Sequence, residues 1–387
     1  MSSRRTAYSI ILVIWIVAFI PLIGNCAQIL SNTALTFKAR ELGFAALLIG
    51  SFTSAFMITR GILAVITGYI GDKIRRRGVF ALIGFTLNAL VSIGYALSTN
   101  WYHIIVLCFI NGVASGILWP SIQTIVIEVS PRKWRSSIMS VYFSLGTLGG
   151  VVSYSIYALF YARKYFDAFL LSSAILGFLS ISVIPLAKHY YAPADNKKKR
   201  TGTLSLIEFT IALTAMFSAG FITSTKSLLL LYLREFALLG EKGAANTMFT
   251  ITLLSFLTSL GIGFLADKIG WTLSSIVGFS IGSILTILME TSKGLLLALA
   301  LGVLLGAVGA MFPLTRAVVG KAKASRRGLL IGLVNFVGNI GSVLGPLILG
   351  FLYDTIGPFS LTQAYLIIAL ILITLFTIFE LSKRKRP

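Results

Sequence analysis

Acidic residues are scarce in this chain: 12 Asp and Glu stand against 33 Lys and Arg in 387 residues. Histidine and cysteine are scarcer, at two each. Two cysteines, Cys26 and Cys108, each inside an apolar run, make neither a disulfide framework nor a metal cluster. No Gly-x-Ser-x-Gly elbow, His-rich cluster, paired intramembrane carboxylates or phosphate-binding loop occurs, so the chain offers no catalytic set, no metal site and no cofactor site. A membrane-embedded enzyme is therefore a remote reading. Charged residues of both signs make up only 12% of the chain. A soluble domain carries about 25%, so polar groups cannot cover this surface.

What the chain has instead is apolar length. Hydrophobic residues reach 57% and the mean hydropathy is +0.92. Runs long enough to cross a bilayer, about 20 residues, recur throughout. They predict spans at Tyr8–Leu30, Phe44–Tyr69, Val79–Ser98, Tyr102–Val129, Ser136–Phe160, Phe166–Lys188, Leu204–Leu233, Ala244–Ala266, Leu273–Met289, Leu295–Val319, Leu329–Tyr353 and Leu361–Leu381. The first run is too long for a signal-peptide core and reads as a retained helix. The expected fold is an all-α integral membrane protein of about twelve helices in two six-helix bundles.

The basic residues orient it. With twelve spans, 23 of the 33 Lys and Arg fall on the side of the termini, 7 on the other, and Arg60, Lys226 and Arg316 within spans. Cytoplasmic loops carry excess Lys and Arg, so both termini are expected in the cytoplasm of a plasma-membrane protein. The net charge of +21 is then a topology signal that also meets anionic lipid. It is not a nucleic-acid surface, since no basic domain stands outside the membrane.

The most polar internal stretch, 189–203, divides the chain into an N-terminal bundle, 1–188, and a C-terminal bundle, 204–387, and reads as a cytoplasmic linker. The two halves repeat. Gly68, Asp72 and Lys73 precede Gly263, Asp267 and Lys268 by 195 residues, Pro120 precedes Pro313 by 193, and Gly146 and Gly150 precede Gly341 and Gly345 by 195. Internal repeats with a site near the midplane between them characterise secondary transporters.

Gly68, Asp72, Lys73, Arg76 and Arg77, with Arg75 where a glycine is usual, resemble the loop motif of the major facilitator superfamily. Pro120, Glu128, Pro131 and Arg135 resemble that family's fourth helix and the loop after it. The resemblance implies a conformational latch made by Gly68, Asp72, Arg76, Arg77, Glu128 and Arg135. The alternative is a topology-fixing loop with solvated charges. The second half keeps Asp267, but Trp271 replaces the Arg76 equivalent and Lys321 the Glu128 equivalent, which implies a weaker latch. Gly332, Gly341, Gly345, Pro346 and Gly350 resemble a glycine-rich family motif that belongs in the fifth helix of exporters; here the fuller copy is in the eleventh. A Gly-Pro step softens a helix, so Gly341, Gly345 and Pro346 are expected to flex.

Ionisable groups inside a span are functional hypotheses by default. Arg60, near the middle of the second span, either faces a cavity and binds an anionic group or pairs within its own half. Lys226 either binds substrate or reaches the outer surface. Arg316 is expected to extend toward the cytoplasmic surface. All twelve acids and both histidines, His103 and His189, lie at span ends or in loops, and Cys108 with Asn111 occupies the stretch where proton-coupled family members carry a fourth-helix arginine. Further candidates for a cavity lining are Asn25, Gln28, Trp119, Gln123, Tyr154, Tyr157, Asn335 and Asn339, each against the alternative of a helix-to-helix bond. Together these features predict a secondary-active or facilitative transporter of a small organic solute, anionic or neutral, working by alternating access in membrane lipid. It would act as a monomer, with or without a coupling ion. The closest alternative is a multidrug exporter.

Overall fold

A computed structural model of the chain describes residues 14–74, 76–129, 135–160, 164–189, 205–289, 295–319 and 324–384. Among the described residues the regular elements are all helical. The long helices are Ile20–Glu41, Ala46–Ile74, Arg77–Leu97, Trp101–Val129, Arg135–Phe160 and Lys164–Ser182, then Leu206–Thr223, Gly240–Ile269, Trp271–Met289, Leu295–Val319, Ala324–Thr355 and Ser360–Arg384. They are numbered below as spans one to twelve. Among the described residues, eleven helices are long and apolar enough to cross a membrane. Helices are forced here: lipid offers no hydrogen bonds, so each backbone N–H and C=O must be satisfied within the segment.

Span one exceeds its apolar run. A π-helical turn, Trp15–Phe19, leads into it and it continues to Glu41 through the polar stretch after Leu30. Those polar groups find partners. The Thr33 and Thr36 hydroxyls donate to the carbonyls of Ile29 and Asn32, at 2.8 and 2.9 Å. The Lys38 ammonium donates to the Tyr95 and Ala96 carbonyls, at 2.7 and 2.8 Å. It thus caps the end of span three, where orphan carbonyls and the helix dipole favour a cation. Gly43, at φ 81°, takes the left-handed conformation that follows the helix.

Span seven, expected as one helix over Leu204–Leu233, is two: Leu206–Thr223 and Lys226–Glu235. It opens on a capping pair, Ser205 Oγ accepting the Glu208 N–H at 3.1 Å. It breaks at consecutive hydroxyl residues. Thr223, Ser224 and Thr225 donate to the carbonyls of Ala219, Phe221 and Ile222, local bonds that compete with the helical ladder. Thr225 also shares a 2.5 Å hydrogen bond with the Tyr365 hydroxyl of span twelve.

The chain divides into two compact units. One comprises Met1–Gly43 and Ala55–Asp195, the other Phe44–Ser54 and Asn196–Pro387, so the first turns of span two belong with the second unit. In the first unit span one packs on spans five and six, and span three on four and six, around Phe85, Leu118, Trp119, Ile122, Tyr142, Leu176 and Leu179. In the second unit span seven packs on eleven, and span nine on ten and twelve. Glycine sets the closest approaches, as expected where helices must meet without a hydrophobic driving force. A Cβ placed on Gly149 would lie 2.2 Å from the Leu22 carbonyl oxygen; one on Gly341 would lie 2.1 Å from that of Phe217. Leu22 and Phe217 are 195 residues apart, so the sequence repeat is also a repeat of packing inside each unit.

Candidate functional site

Each unit holds a polar constellation inside its helix bundle. In the first unit, Arg60 is half-buried on span two, its guanidinium 5.7 Å from the centre of the Phe56 ring. No ion pair to it is found among the described residues. Its polar neighbour is Tyr142 of span five, which also lies beside Gln123 of span four. Tyr142 is only 2% exposed, and its hydroxyl has no hydrogen-bond partner among the described residues. A buried hydroxyl without a partner costs about 1–3 kcal/mol.

In the second unit the expectation that Arg316 extends toward the surface is not met. Its Nη1 donates to the Phe312 carbonyl at 2.8 Å and its Nη2 to Asn335 Oδ1 of span eleven at 3.0 Å, with the Phe312 ring centre 5.8 Å away. The reason is local: Asn335 and the Phe312 carbonyl supply acceptors that the apolar surroundings do not. Asn339, one turn further on the same face, is half-buried. Lys226 is the first residue of the second segment of span seven and is exposed there.

Gln123 and Arg316 are 193 residues apart, as are Pro120 and Pro313, so each lies three residues beyond the proline of its helix and the two are repeat equivalents. Spans five and eleven repeat at 195, so Tyr142 and Asn335 are not equivalent positions. Tyr142 was not singled out from the sequence, and no local pattern sets it apart.

Other candidates are committed to packing. Gln28 accepts from Trp119 Nε1 at 3.1 Å and donates to Ser115 Oγ at 3.0 Å, fastening span one to span four, while Trp119 stacks edge-on against Phe85. Asn25 donates to the Pro21 carbonyl of its own helix at 3.0 Å and abuts Gly146. Tyr154, 2% exposed, is core, and Tyr157 is buried against Phe37. Gly341 and Gly345 press on the backbone of span seven, and Pro346 lies within a continuous helix.

Of the latch residues, the side chains of Gly68, Asp72, Glu128 and Arg135 lie outside the described residues, as does Lys321. Arg76 is exposed at the N-cap position of span three and Arg77 is buried in its first turn. Asp267 is exposed in the last turn of span eight. Trp271 Nε1 donates to Glu208 at 3.3 Å. The carboxylates of Glu208, Glu235, Glu241, Asp354 and Glu380 all sit at helix ends and bond to Trp271, Tyr353, Arg234, the backbone of span two and Thr272 respectively.

A multi-pass helical membrane protein, internally repeated and with a polar cluster inside each helix bundle, has the build of a solute carrier. The family model of the Major Facilitator Superfamily matches residues 9–289 and 211–387, and the chain belongs to that family. It is 23% identical over 356 residues to an uncharacterized MFS-type transporter of Methanocaldococcus jannaschii, covering 88% of each chain. A protein of Salmonella newport named for multidrug resistance, MdtD, is 27% identical over 138 residues, covering 35% of this chain and 29% of its own. In fold the chain is similar to the nucleoside transporter NupG in a mutant form: TM-score 0.76, 16% identity, 95% of this chain and 98% of that one covered. Membership of a transporter family implies a small-molecule substrate and a lipid environment.

Proposed function

We propose that this chain carries a small organic solute, anionic or neutral, across the plasma membrane by alternating access between two six-helix halves, 1–188 and 204–387, joined by the linker 189–203. The observation that carries this reading is Arg60, a cation held half-buried beside an unpartnered tyrosine hydroxyl. A charge inside a membrane span is costly and is kept for function. Arg60, Gln123 and Tyr142 would bind the anionic or hydrogen-bonding end of the solute, with Arg316, Asn335, Asn339 and Lys226 as candidates from the second half. The described carboxylates are drawn to helix ends, which favours a solute without positive charge. Excess Lys and Arg places both termini in the cytoplasm. The chain acts as a monomer. Asp72, Arg76 and Glu128 form a cytoplasmic latch, and the protein catalyses no covalent chemistry.

The second reading, a multidrug exporter, is favoured by the partial similarity to MdtD. A thermal-shift panel of carboxylates, neutral nucleosides and sugars, and lipophilic cations separates the two. A ligand at a hundred times its Kd stabilises the folded state by about 2.7 kcal/mol. Stabilisation by an anionic or neutral solute, lost in Arg60→Ala, is the expected result. Stabilisation by lipophilic cations alone, unchanged in Arg60→Ala, would replace it with the exporter reading.

A further inference from the structure

Within the second unit, the first turns of span two lie along the last turns of span eleven. The Ala46 N–H donates to Asp354 Oδ1 at 2.9 Å and the Leu47 N–H to Asp354 Oδ2 at 2.7 Å. A Cβ on Gly50 would lie 2.2 Å from the Pro346 carbonyl oxygen, and one on Gly350 would lie 2.8 Å from Leu47 Cα. The Ser54 hydroxyl donates to the Val343 carbonyl at 2.7 Å, and the Thr53 and Ser227 hydroxyls are 3.4 Å apart. The two helices therefore touch over about three turns, backbone against backbone.

Asp354 is placed against its own interest. It is the penultimate residue of its helix, where the negative end of the dipole disfavours a carboxylate. It is offset by facing the start of another helix, where orphan N–H groups and the positive end favour one. Span two needs that help. The residues before it, Gly43, Phe44 and Ala45, carry no capping side chain. The cap of span two is thus supplied from a residue some 308 positions away, and it exists only while the two helices are together.

We propose that Asp354 is an outer clasp of the transport cycle: its carboxylate holds the start of span two against the end of span eleven in one state and releases it in the other. The clasp lies at the end of span eleven away from Ala324, and the inference rests on the alternating-access reading above. It does not depend on which solute is carried.

The test needs no substrate. Spin labels at Ala45→Cys and Ile356→Cys, both exposed positions of the second unit flanking the contact, report its opening in lipid nanodiscs of phosphatidylethanolamine and phosphatidylglycerol. The parent is expected to show a short and a long distance. Asp354→Ala should raise the long-to-short ratio about five- to thirty-fold, the factor that losing a cap of about 1–2 kcal/mol gives. Asp354→Asn, which keeps one acceptor without the charge, should fall between. Gly50→Ala should act in the same direction by pushing on Pro346, and it keeps the test open if Asp354→Ala fails to fold. A parent-like ratio in folded Asp354→Ala and Gly50→Ala overturns the clasp and leaves alternating access standing. A single distance in the parent at every temperature overturns both.

Discussion

Gly341→Ala tests whether the glycines of span eleven are there for closeness or for softness. A Cβ at this position would sit 2.1 Å from the Phe217 carbonyl oxygen and 2.9 Å from the Phe221 nitrogen. Both obstacles are backbone, so no rotamer change relieves them. Carbon and oxygen pack comfortably only beyond about 3.4 Å, so spans seven and eleven must separate by on the order of 1 Å. That movement also stretches the Ser342 hydroxyl bond to the Gly220 carbonyl, now 3.2 Å. Overpacking of this kind costs about 1–3 kcal/mol, while alanine regains up to about 1 kcal/mol of helix propensity over glycine. Gly263→Ala supplies the reference, because nothing lies within 4 Å of a Cβ there. Comparing the two cancels the propensity gain. For a unit of roughly 200 residues, with about 2–4 °C per kcal/mol, Gly341→Ala should melt roughly 2–12 °C below Gly263→Ala. The assay is thermal unfolding in detergent, followed by intrinsic fluorescence and by monodispersity on a sizing column. If Gly341→Ala melts at or above Gly263→Ala, close approach is not what the glycine provides, and flexing returns as its role.

Two further outcomes are expected. Gln28→Leu and Trp119→Phe should each destabilise by about 1 kcal/mol, and the double variant by much less than their sum, because the two side chains share one hydrogen bond; additive losses in melting temperature would mean that each acts through something else. Glu128→Gln and Arg76→Ala should shift the access balance in the same direction and non-additively in a cysteine-accessibility assay, and simple additivity would count against the latch.

The spans were legible because the bilayer leaves a sequence little choice. About twenty apolar residues without charge have one stable backbone in lipid. The repeat was legible too, because prolines and glycines mark fixed backbone positions. What escaped was whatever depends on polar groups finding each other. Span one outruns its apolar stretch because Lys38 reaches the carbonyls of Tyr95 and Ala96, a pairing no local pattern announces. Span seven breaks where the hydroxyls of Thr223, Ser224 and Thr225 fold back on carbonyls.

The same distinction governs the site. Arg60 stood out because a charge in a membrane span is rare whatever its neighbours. Gln28, Trp119, Tyr154 and Gln123 could not be told apart, since a polar side chain facing another helix and one facing a cavity have the same helical periodicity. Tyr142 and Asp354 enter the two proposals above, and neither was readable from local context. One is a tyrosine among several in span five, with no local pattern to set it apart. The other acts across some 308 residues on two backbone amides. The repeat still guides a comparison of the halves: counted from the prolines of spans four and ten, Gln123 and Arg316 stand at equivalent points, so a neutral glutamine occupies in the first half the position the second fills with an arginine.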